Sequence, residues 1–302
     1  MHANEPSFLP IRDAARATGV NPVTLRAWER RYGLVKPHRT PKGHRLYAPE
    51  QLQQIQQILT WLERGVAISQ VAALLREQPE PEPETQHTSL WEHHSDALLF
   101  SLAQFDSRQL AAQYRDLMGL YPAQLVCAQL LEPVLHELDQ RPNGQYGNQL
   151  EKQFLHSWLH SQLAARLSVQ QEQAQGPRLL LASLSTGIHE PRLDLLTLLL
   201  SEAGYRLTRL DSCPPLSELT LLHERKPLAA MLLIGSQRLD QTTLQRELPR
   251  LAAQVDCPVF AAGPIVQLHD GDIRHAGATP LHSSPAHSYE QLQQQLLSGG
   301  TV

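Results

Sequence analysis

A stretch in which proline alternates with glutamate interrupts the chain after its first quarter and prevents a single continuous core. The segment from Glu77 to Thr88 carries three prolines, each followed by a glutamate. Proline supplies no backbone N–H and fixes φ, and neighbouring glutamates repel one another, so such a segment stays extended. We therefore predict a linker over residues 77–89, between a small domain at residues 1–76 and a larger body.

The formal charge divides at the same place. Residues 1–76 hold eleven Lys and Arg against five Asp and Glu, a net charge of +6, whereas residues 77–302 hold 15 basic and 25 acidic residues, a net charge of −10. The total of −4 hides this division. A basic domain joined to an acidic body is typical of a polyanion-binding module attached to a part with another task.

The remaining composition excludes several classes of protein. No apolar run reaches the roughly eighteen residues of a membrane span, and the first fifteen residues lack the basic-then-apolar order of a secretion signal. The three cysteines, Cys127, Cys213 and Cys257, have no paired spacing that suits zinc or a disulfide framework. We expect a soluble, cytoplasmic protein that does not contact a membrane.

Hydrophobic periodicity divides the body into two further domains. From about Leu90 to Val169, apolar side chains recur every three or four positions. This pattern predicts that the domain at residues 90–175 is a bundle of about four helices, with breaks near Tyr121-Pro122 and near Arg141. Residues 176–302 alternate short apolar runs with amphipathic segments, which predicts a doubly wound parallel sheet. The predicted strands are Arg178–Leu184, Tyr205–Leu210, Ala229–Ile234 and Pro258–Ala262, and the predicted helices are Pro191–Ala203, Pro215–Lys226, Asp240–Val255 and Tyr289–Leu297.

The basic domain carries the signals of a helix-turn-helix. A helix from Ile11 ends at Gly19, and Asn21 then caps a second helix that runs to Tyr32 with Pro22 at its first position. In this motif the second helix lies in the DNA major groove. Four of its side chains can face nucleic acid, and these are Thr24, Arg26, Arg30 and Arg31.

A basic segment with a central glycine follows and predicts a two-stranded wing. The segment Lys36–Tyr47 can place Arg39, Lys42 and Arg45 on phosphates or in the neighbouring minor groove. Helices over Pro49–Glu63 and Ser69–Leu75 would complete the domain. The predicted fold class is multidomain: an all-α winged helix-turn-helix, a four-helix bundle cap, and an α/β Rossmann-like (flavodoxin-like) domain with a parallel sheet.

Residues 8–76 resemble the DNA-binding domain of MerR family transcriptional regulators. The matching strings are TGVNPVTLRAWERRYGL and RTPKGHRLY. The resemblance implies a DNA face made from the recognition helix and the wing, namely Arg26, Trp28, Arg30, Arg31, Tyr32, Arg39, His44, Arg45 and Tyr47. Trp28 and Tyr47 fit equally well as core residues, and both alternatives stay open.

The resemblance also implies a mode of action. MerR-type proteins bind palindromic promoter elements as dimers and often distort the duplex between half-sites. We therefore expect double-stranded promoter DNA as partner and a homodimer or a higher homo-oligomer. The long dimerising helix and the cysteine-bearing site of the metal-sensing members are replaced here by the Pro/Glu linker, which argues against a heavy-metal sensor.

Residues 90–302 resemble the helical cap and Rossmann-like domain of cobalamin-binding proteins. The MerR subgroup with this arrangement includes light-sensing cobalamin-dependent repressors and biofilm regulators. The resemblance places His189 at the cobalt-ligating histidine, and Ser236 and Gly263 at elements that hold the cofactor tail. Gly187 stands where the family has an acid that orients the histidine, and Arg192 where it has a glycine.

The cap shows a similar partial match. Of the family's tryptophan, glutamate and histidine, only the glutamate has a counterpart, Glu151, while Arg141 and Lys152 stand at the other two positions. Two alternatives follow for the body. It binds cobalamin through His189 and senses adenosylcobalamin or light, or it binds no cofactor and serves dimerisation or a protein partner. The lost motif residues favour the second alternative.

An enzyme is the third class, because cobalamin-dependent methyltransferases and mutases share the cap and sheet. The chain has no room for a catalytic barrel and shows no paired carboxylates or nucleophile–base arrangement. We therefore expect no catalytic activity.

Overall fold

The computed structural model describes residues 8–77, 88–142, 146–185 and 189–299. The chain divides into two compact units, residues 1–142 and residues 143–302. Most of the predicted linker, residues 78–87, lies outside the described residues.

The first unit begins with the predicted pair of helices around a glycine turn. Helix α1 (Ile11–Thr18) ends at Gly19, whose φ of +72° is a left-handed conformation that glycine adopts without strain. The Asn21 side chain then accepts hydrogen bonds from the backbone N–H groups of Val23 and Thr24, both at 2.9 Å. These bonds satisfy donors that the start of a helix leaves open, so helix α2 (Pro22–Ala27) begins here.

Helix α2 continues as a wider, π-helical turn over Trp28–Tyr32, which ends at Gly33. Three short antiparallel strands follow the order β1-β3-β2 and are β1 (Leu9–Pro10), β2 (His38–Arg39) and β3 (Arg45–Tyr47). The predicted helix-turn-helix and its two-stranded wing are confirmed. Strand β1 was not predicted, because two residues are too few to show a period in the sequence.

Helices form the rest of the first unit. The two that complete the basic domain are α3 (Pro49–Glu63) and α4 (Ile68–Glu77). The bundle helices are α5 (Thr88–Ala103), α6 (Ser107–Leu120), α7 (Ala123–Val126) and α8 (Glu132–Gln140), with a π-helical turn over Cys127–Leu131 that joins the last two. Glu77 and Thr88, at the edges of the predicted linker, are therefore helical.

Trp28 joins the two groups of helices within this unit. Its side chain is fully buried, and its indole Nε1 donates a hydrogen bond to the Leu120 backbone oxygen at 2.8 Å. This carbonyl lies at the end of α6 and has no acceptor role within that helix. The bond therefore satisfies a buried donor and a helix-terminal acceptor at once.

The second unit contains a parallel sheet with helices on both faces. Helix α9 (Asn148–Gln173) precedes the sheet, whose order is β5-β4-β6-β7-β8. The strands are β4 (Arg178–Ser183), β5 (Arg206–Leu210), β6 (Ala230–Ile234), β7 (Val259–Ala262) and β8 (Thr279–Pro280). The helices after α9 are α10 (Pro191–Glu202), α11 (Leu219–Arg225), α12 (Leu248–Gln254), α13 (Ile265–His275) and α14 (Pro285–Gly299). The predicted α/β class is confirmed.

Side chains of the interior strand β4 alternate between two cores. Leu179 and Leu181 of β4 belong to a cluster with residues of α10 and α14, whereas Leu180 and Ala182 belong to a cluster with residues of α11, α12 and α13. Strand side chains point alternately to opposite faces, so this division shows that helices cover both faces. None of the helices among the described residues is both long and apolar enough to cross a membrane.

The structure differs from the predicted elements of the second unit, where the predicted helix over Pro215–Lys226 begins as a 3₁₀ turn at Leu216–Glu218 before α11. Helix α13 was not predicted, because His269, Asp270 and Asp272 interrupt its apolar pattern. Strand β8 was not predicted either, because it has only two residues. The predicted helix over Asp240–Val255 contains a π-helical turn at Thr243–Glu247 before α12. Helix α9 belongs to the second unit, and helices α5 to α8 belong to the first.

The Trp28 bond gives a stability prediction. Replacing Trp28 with Phe keeps a buried aromatic ring but leaves the Leu120 carbonyl without its donor. We expect the free energy of unfolding of the first unit to fall by about 1–3 kcal/mol. Urea unfolding followed by circular dichroism measures the change.

The matched control is Trp61→Phe on α3, where the ring is only partly buried and carries the Arg64 guanidinium at 5.7 Å. This variant is expected to lose less than about 1 kcal/mol. Equal losses in the two variants would contradict the role assigned to the Trp28 hydrogen bond.

Candidate functional sites

Arginines lie along the outer face of the second helix of the helix-turn-helix. Arg30 and Arg31 are exposed and Arg26 is partly buried, with its backbone oxygen 3.4 Å from Arg30 Nε. They follow a helix start that is fixed by the Asn21 cap. The structure thus presents three positive charges on the element predicted to enter a DNA groove.

The wing carries a second group of cations at the turn between β2 and β3. The Gly43 N–H donates to the Thr40 oxygen at 2.8 Å, and the φ of Gly43 is +83°, which closes the turn tightly. Lys42 and His44 are exposed on either side of this glycine. The turn therefore holds two cationic or protonatable side chains at its tip.

Glu29 connects the wing to the second helix. Its Oε1 accepts a hydrogen bond from Arg39 at 2.7 Å, and its Oε2 accepts one from Arg45 at 2.5 Å. Burial by itself would raise the pKa of Glu29, but the hydrogen bonds from Arg45 and Arg39 outweigh it and hold the pKa below its ordinary value. The sequence analysis did not identify Glu29 as a functional residue. The signal that could have identified it is that Glu29 is the one acidic residue within the basic segment Trp28–Tyr32.

Burial corrects the predicted DNA face at three residues. The side chains of Thr24, Trp28 and Tyr47 are fully buried, so they belong to the domain core and do not reach the surface. Burial also raises the pKa of the Tyr47 hydroxyl. Tyr32 is partly buried beside the exposed arginines. The helical period of α2 did not by itself show that Thr24 lies on the buried side of the helix.

A second group of polar side chains lies at the carboxyl ends of β4 and β6. The buried Glu190 carboxylate accepts hydrogen bonds from Ser185 Oγ at 3.1 Å and from Ser236 Oγ at 2.5 Å. Arg192 Nη1 lies 3.2 Å from Ser236 Oγ and 3.7 Å from Glu190 Oε1. Ser236, predicted to hold a cofactor tail, is thus bonded within the protein.

His189 is paired with a buried carboxylate. Its Nε2 lies 2.6 Å from Oδ2 of Asp194, whose side chain is fully buried and whose Oδ1 lies 2.6 Å from Nη1 of Arg209. The hydrogen bond that His189 donates to Asp194 raises the pKa of His189 above its ordinary value, although burial opposes this. Burial would raise the pKa of Asp194, but His189 and Arg209 hold it below its ordinary value.

Helix α9 adds His160 to the same cluster. His160 Nδ1 lies 3.2 Å from Asp194 Oδ1 and 3.2 Å from Arg209 Nη2, and its ring meets the His189 ring edge-on with centroids 4.8 Å apart. Sequence reasoning missed Asp194, Arg209 and His160. Asp194 was recognisable as an acid in the first turn after the His189 loop, but no sequence pattern joins it to helix α9.

The other two predicted cofactor residues, Glu151 and Gly263, also lie in the second unit. Glu151 is in the first turn of α9, more than two turns before His160, and its N–H donates to the Gly147 oxygen at 2.9 Å. Gly263 has a φ of +89°, and a Cβ there would lie 2.7 Å from the Gly235 oxygen. Glycine is therefore required at 263 for close approach of two strand ends. Gly187 lies outside the described residues.

These residues do not fit a corrin held by His189. A cobalt ligand needs a ring nitrogen that a bulky macrocycle can reach, and the outer nitrogen, Nε2, already bonds Asp194. The remaining Nδ1 lies next to the Cβ atom, where a flat macrocycle meets the side chain itself. At the adjacent strand ends, the side chains of Glu190, Ser236 and Arg192 bond one another.

Comparisons with known proteins agree with the first site. Residues 9–78 match the model of the MerR HTH family regulatory protein. The HTH-type transcriptional regulator MlrA of Salmonella typhimurium (strain SL1344) is 35% identical over 128 residues, which cover 42% of this chain. The chain spans about half the length of that relative, 51%.

Two further similarities extend into the second unit. The HTH-type transcriptional repressor CarA of Myxococcus xanthus is 29% identical over 217 residues and is covered to 70%, as is this chain. A crystal structure of a novel cobalamin-binding protein from Desulfitobacterium hafniense DCB-2 is 14% identical, with a TM-score of 0.37, and the match covers 66% of this chain and 97% of that one. The family match, together with the helix-turn-helix and its basic wing, identifies residues 9–78 as a domain of the MerR HTH family.

Proposed function

We propose that the chain is a DNA-binding transcriptional regulator that acts in the cytoplasm on double-stranded promoter DNA as a homodimer or a higher homo-oligomer. The observation that carries the proposal is the MerR HTH domain with exposed arginines on its second helix and cations on its wing. Relatives named as transcriptional regulators support it. A role as an enzyme is not part of the proposal.

The proposed DNA face is the predicted set without its three buried members. It consists of Arg26, Arg30, Arg31, Tyr32, Arg39, Lys42, His44 and Arg45. Arginine and lysine bind phosphates and base edges, and a recognition helix beside a wing can reach a major groove and the backbone next to it. Glu29 holds Arg39 and Arg45 against the second helix, so both arms of the face keep a fixed spacing.

The body is proposed to be a sensor or interaction part rather than a cobalamin receptor. Of the two alternatives raised by the sequence, the contacts of His189 and Ser236 support the one without cobalamin. The proposed limits are residues 1–76 for the DNA-binding domain, 77–89 for the linker, 90–175 for the cap and 176–302 for the Rossmann-like domain.

The proposal is tested by selection of DNA. The full chain should enrich duplexes with a palindromic element from a random-sequence pool, because a two-fold dimer reads two half-sites. Recovery of duplexes without any shared element would contradict sequence-specific binding.

The same duplexes test the DNA face. Arg30→Ala removes an exposed charge from the recognition helix, so the free energy of binding should weaken by about 1 kcal/mol or more and the salt slope should fall by about 1. Fluorescence anisotropy across a salt series measures both. The control Arg115→Ala removes an exposed charge from α6. Equal behaviour of the two variants would remove Arg30 from the DNA face.

Glu29 gives a prediction on pH. The pKa of Glu29 is depressed in the folded protein, so its contribution to stability is complete above its unfolded pKa of about 4.3 and is lost as the pH falls through the folded pKa. We expect Glu29→Gln to lose about 1–2 kcal/mol at pH 7 and progressively less below pH 4. Urea unfolding at several pH values measures the difference.

The control for this experiment is Glu63→Gln, an exposed glutamate at the end of α3. Its stability should stay close to that of the unchanged chain. A Glu29→Gln deficit that is the same at pH 3 and pH 7 would show that ionic pairing with the arginines is not its source.

Cobalamin binding is tested by absorbance. The full chain incubated with adenosylcobalamin in the dark and desalted should be colourless. His189→Ala, treated in parallel, gives the background of non-specific retention. One corrin per chain in the unchanged protein, absent from His189→Ala, would overturn the alternative without cobalamin.

A further inference from the structure

Three ligand-bearing side chains from separate elements of the second unit converge on one point. His160 comes from α9, His189 from the loop before α10, and Asp211 from the residue after β5. One ring nitrogen of each histidine and one carboxylate oxygen of Asp211 all lie within 4.8 Å of one another. The proposed regulator function does not explain this convergence.

The donor set has a definite chemical preference. Imidazole nitrogen and carboxylate oxygen are ligands of zinc and other borderline divalent metal ions. Three protein ligands with a fourth position open to water is one of the arrangements that zinc adopts. We propose that His160, His189 and Asp211 bind a divalent transition-metal ion of this class.

The three ligand atoms need to move only a short distance to bind one ion. Zinc–ligand distances of about 2.0–2.2 Å place tetrahedral ligand atoms roughly 3.3 Å apart, so the three atoms must approach by about 1.5 Å at most. The side chains of His160, His189 and Asp211 are 39%, 26% and 59% exposed, respectively. Side chains with this exposure can rotate without repacking the core.

Asp194 supplies the support that a metal-bound histidine needs. A ligating imidazole normally bonds a carboxylate or a carbonyl through its other nitrogen, which fixes the ring orientation. His189 Nε2 bonds Asp194 Oδ2 at 2.6 Å, and that carboxylate is fully buried and held by Arg209. With Nε2 bonded to Asp194, the proposed ion binds His189 through Nδ1.

Arg209 is the group that competes with the ion. Its Nη2 lies 2.6 Å from Asp211 Oδ1 and 3.2 Å from His160 Nδ1. A bound ion replaces these two contacts, while Nη1 keeps its bond to Asp194. Arg209 by itself contacts both Asp194 and Asp211. The ion pairs among these three residues therefore do not require His160 and His189.

A further imidazole lies nearby. His156 is one turn before His160 on α9, and its ring centroid is 6.2 Å from that of His189. Residues four apart share one face of a helix. Helix α9 thus turns two histidines toward the third, a spacing that helical zinc sites use.

The test measures metal binding by the full chain after treatment with a chelator. Titration with Zn²⁺, followed by calorimetry and by competition with a chromophoric chelator, should show one tight ion per chain. Co²⁺ as a substitute should give the strong visible absorption of a tetrahedral site. The variants are His160→Ala, His189→Ala and Asp211→Asn, and each is expected to lose at least about tenfold in Zn²⁺ affinity.

Two controls make the result specific. His275→Ala removes an exposed histidine on α13 and should leave the affinity unchanged. Asp211→Asn alters the most exposed of the three ligands, so it keeps the test valid if a histidine variant does not fold, as judged by circular dichroism. Unchanged Zn²⁺ affinity in folded Asp211→Asn, or absence of tight binding in the unchanged chain, would overturn the proposal. DNA selection and cobalamin absorbance do not enter this result.

Discussion

A carboxylate shielded from water needs cations or donors within reach, and this requirement organises both candidate sites. Asp194 is fully buried and gathers Arg209, His189 and His160 from three elements. Glu29 is 15% exposed and gathers two arginines from the wing. An unpaired buried charge would cost several kcal/mol, so each carboxylate determines where its neighbouring elements lie.

This pairing changes how the charge of the basic domain should be understood. Arg39 and Arg45 share one carboxylate, so the group of three carries a net charge of +1 instead of +2. The unpaired exposed cations of the second helix therefore contribute more of the electrostatic attraction to a polyanion, while the paired ones contribute position. Position matters because side chains that are already ordered lose less entropy when they bind.

The sequence predicts those parts of the molecule that depend on local signals. The Asn21 cap, the glycine turn at Gly19 and the leucine-rich strand β4 are recognisable from residue type and spacing alone. The site geometry was not predictable in the same way. His160, Asp194 and Arg209 lie far apart in sequence, and only the packing of α9 against α10 and the pairing of β5 with β4 bring them together.

Burial was the other quantity that local patterns could not supply. Thr24 and Tyr47 are polar enough to suit a DNA face, yet tertiary packing encloses both completely. A residue's place on a short helix or strand depends on what covers it, and a single sequence does not show which neighbours do so. Nor did a local pattern show that the Ser236 hydroxyl bonds the buried Glu190, 46 positions away in the sequence.

The two-sided burial of β4 has a consequence for how the sheet finds its alignment. Three successive leucines, Leu179 to Leu181, supply both cores, so a shift by one residue would still place leucine on either face. Hydrophobicity therefore leaves the alignment of this strand ambiguous. The polar residues at its two ends distinguish the alignments: Arg178 begins the strand partly exposed, and Ser183 ends it fully buried. The least apolar positions of the strand thus select one pairing from several that its centre would accept.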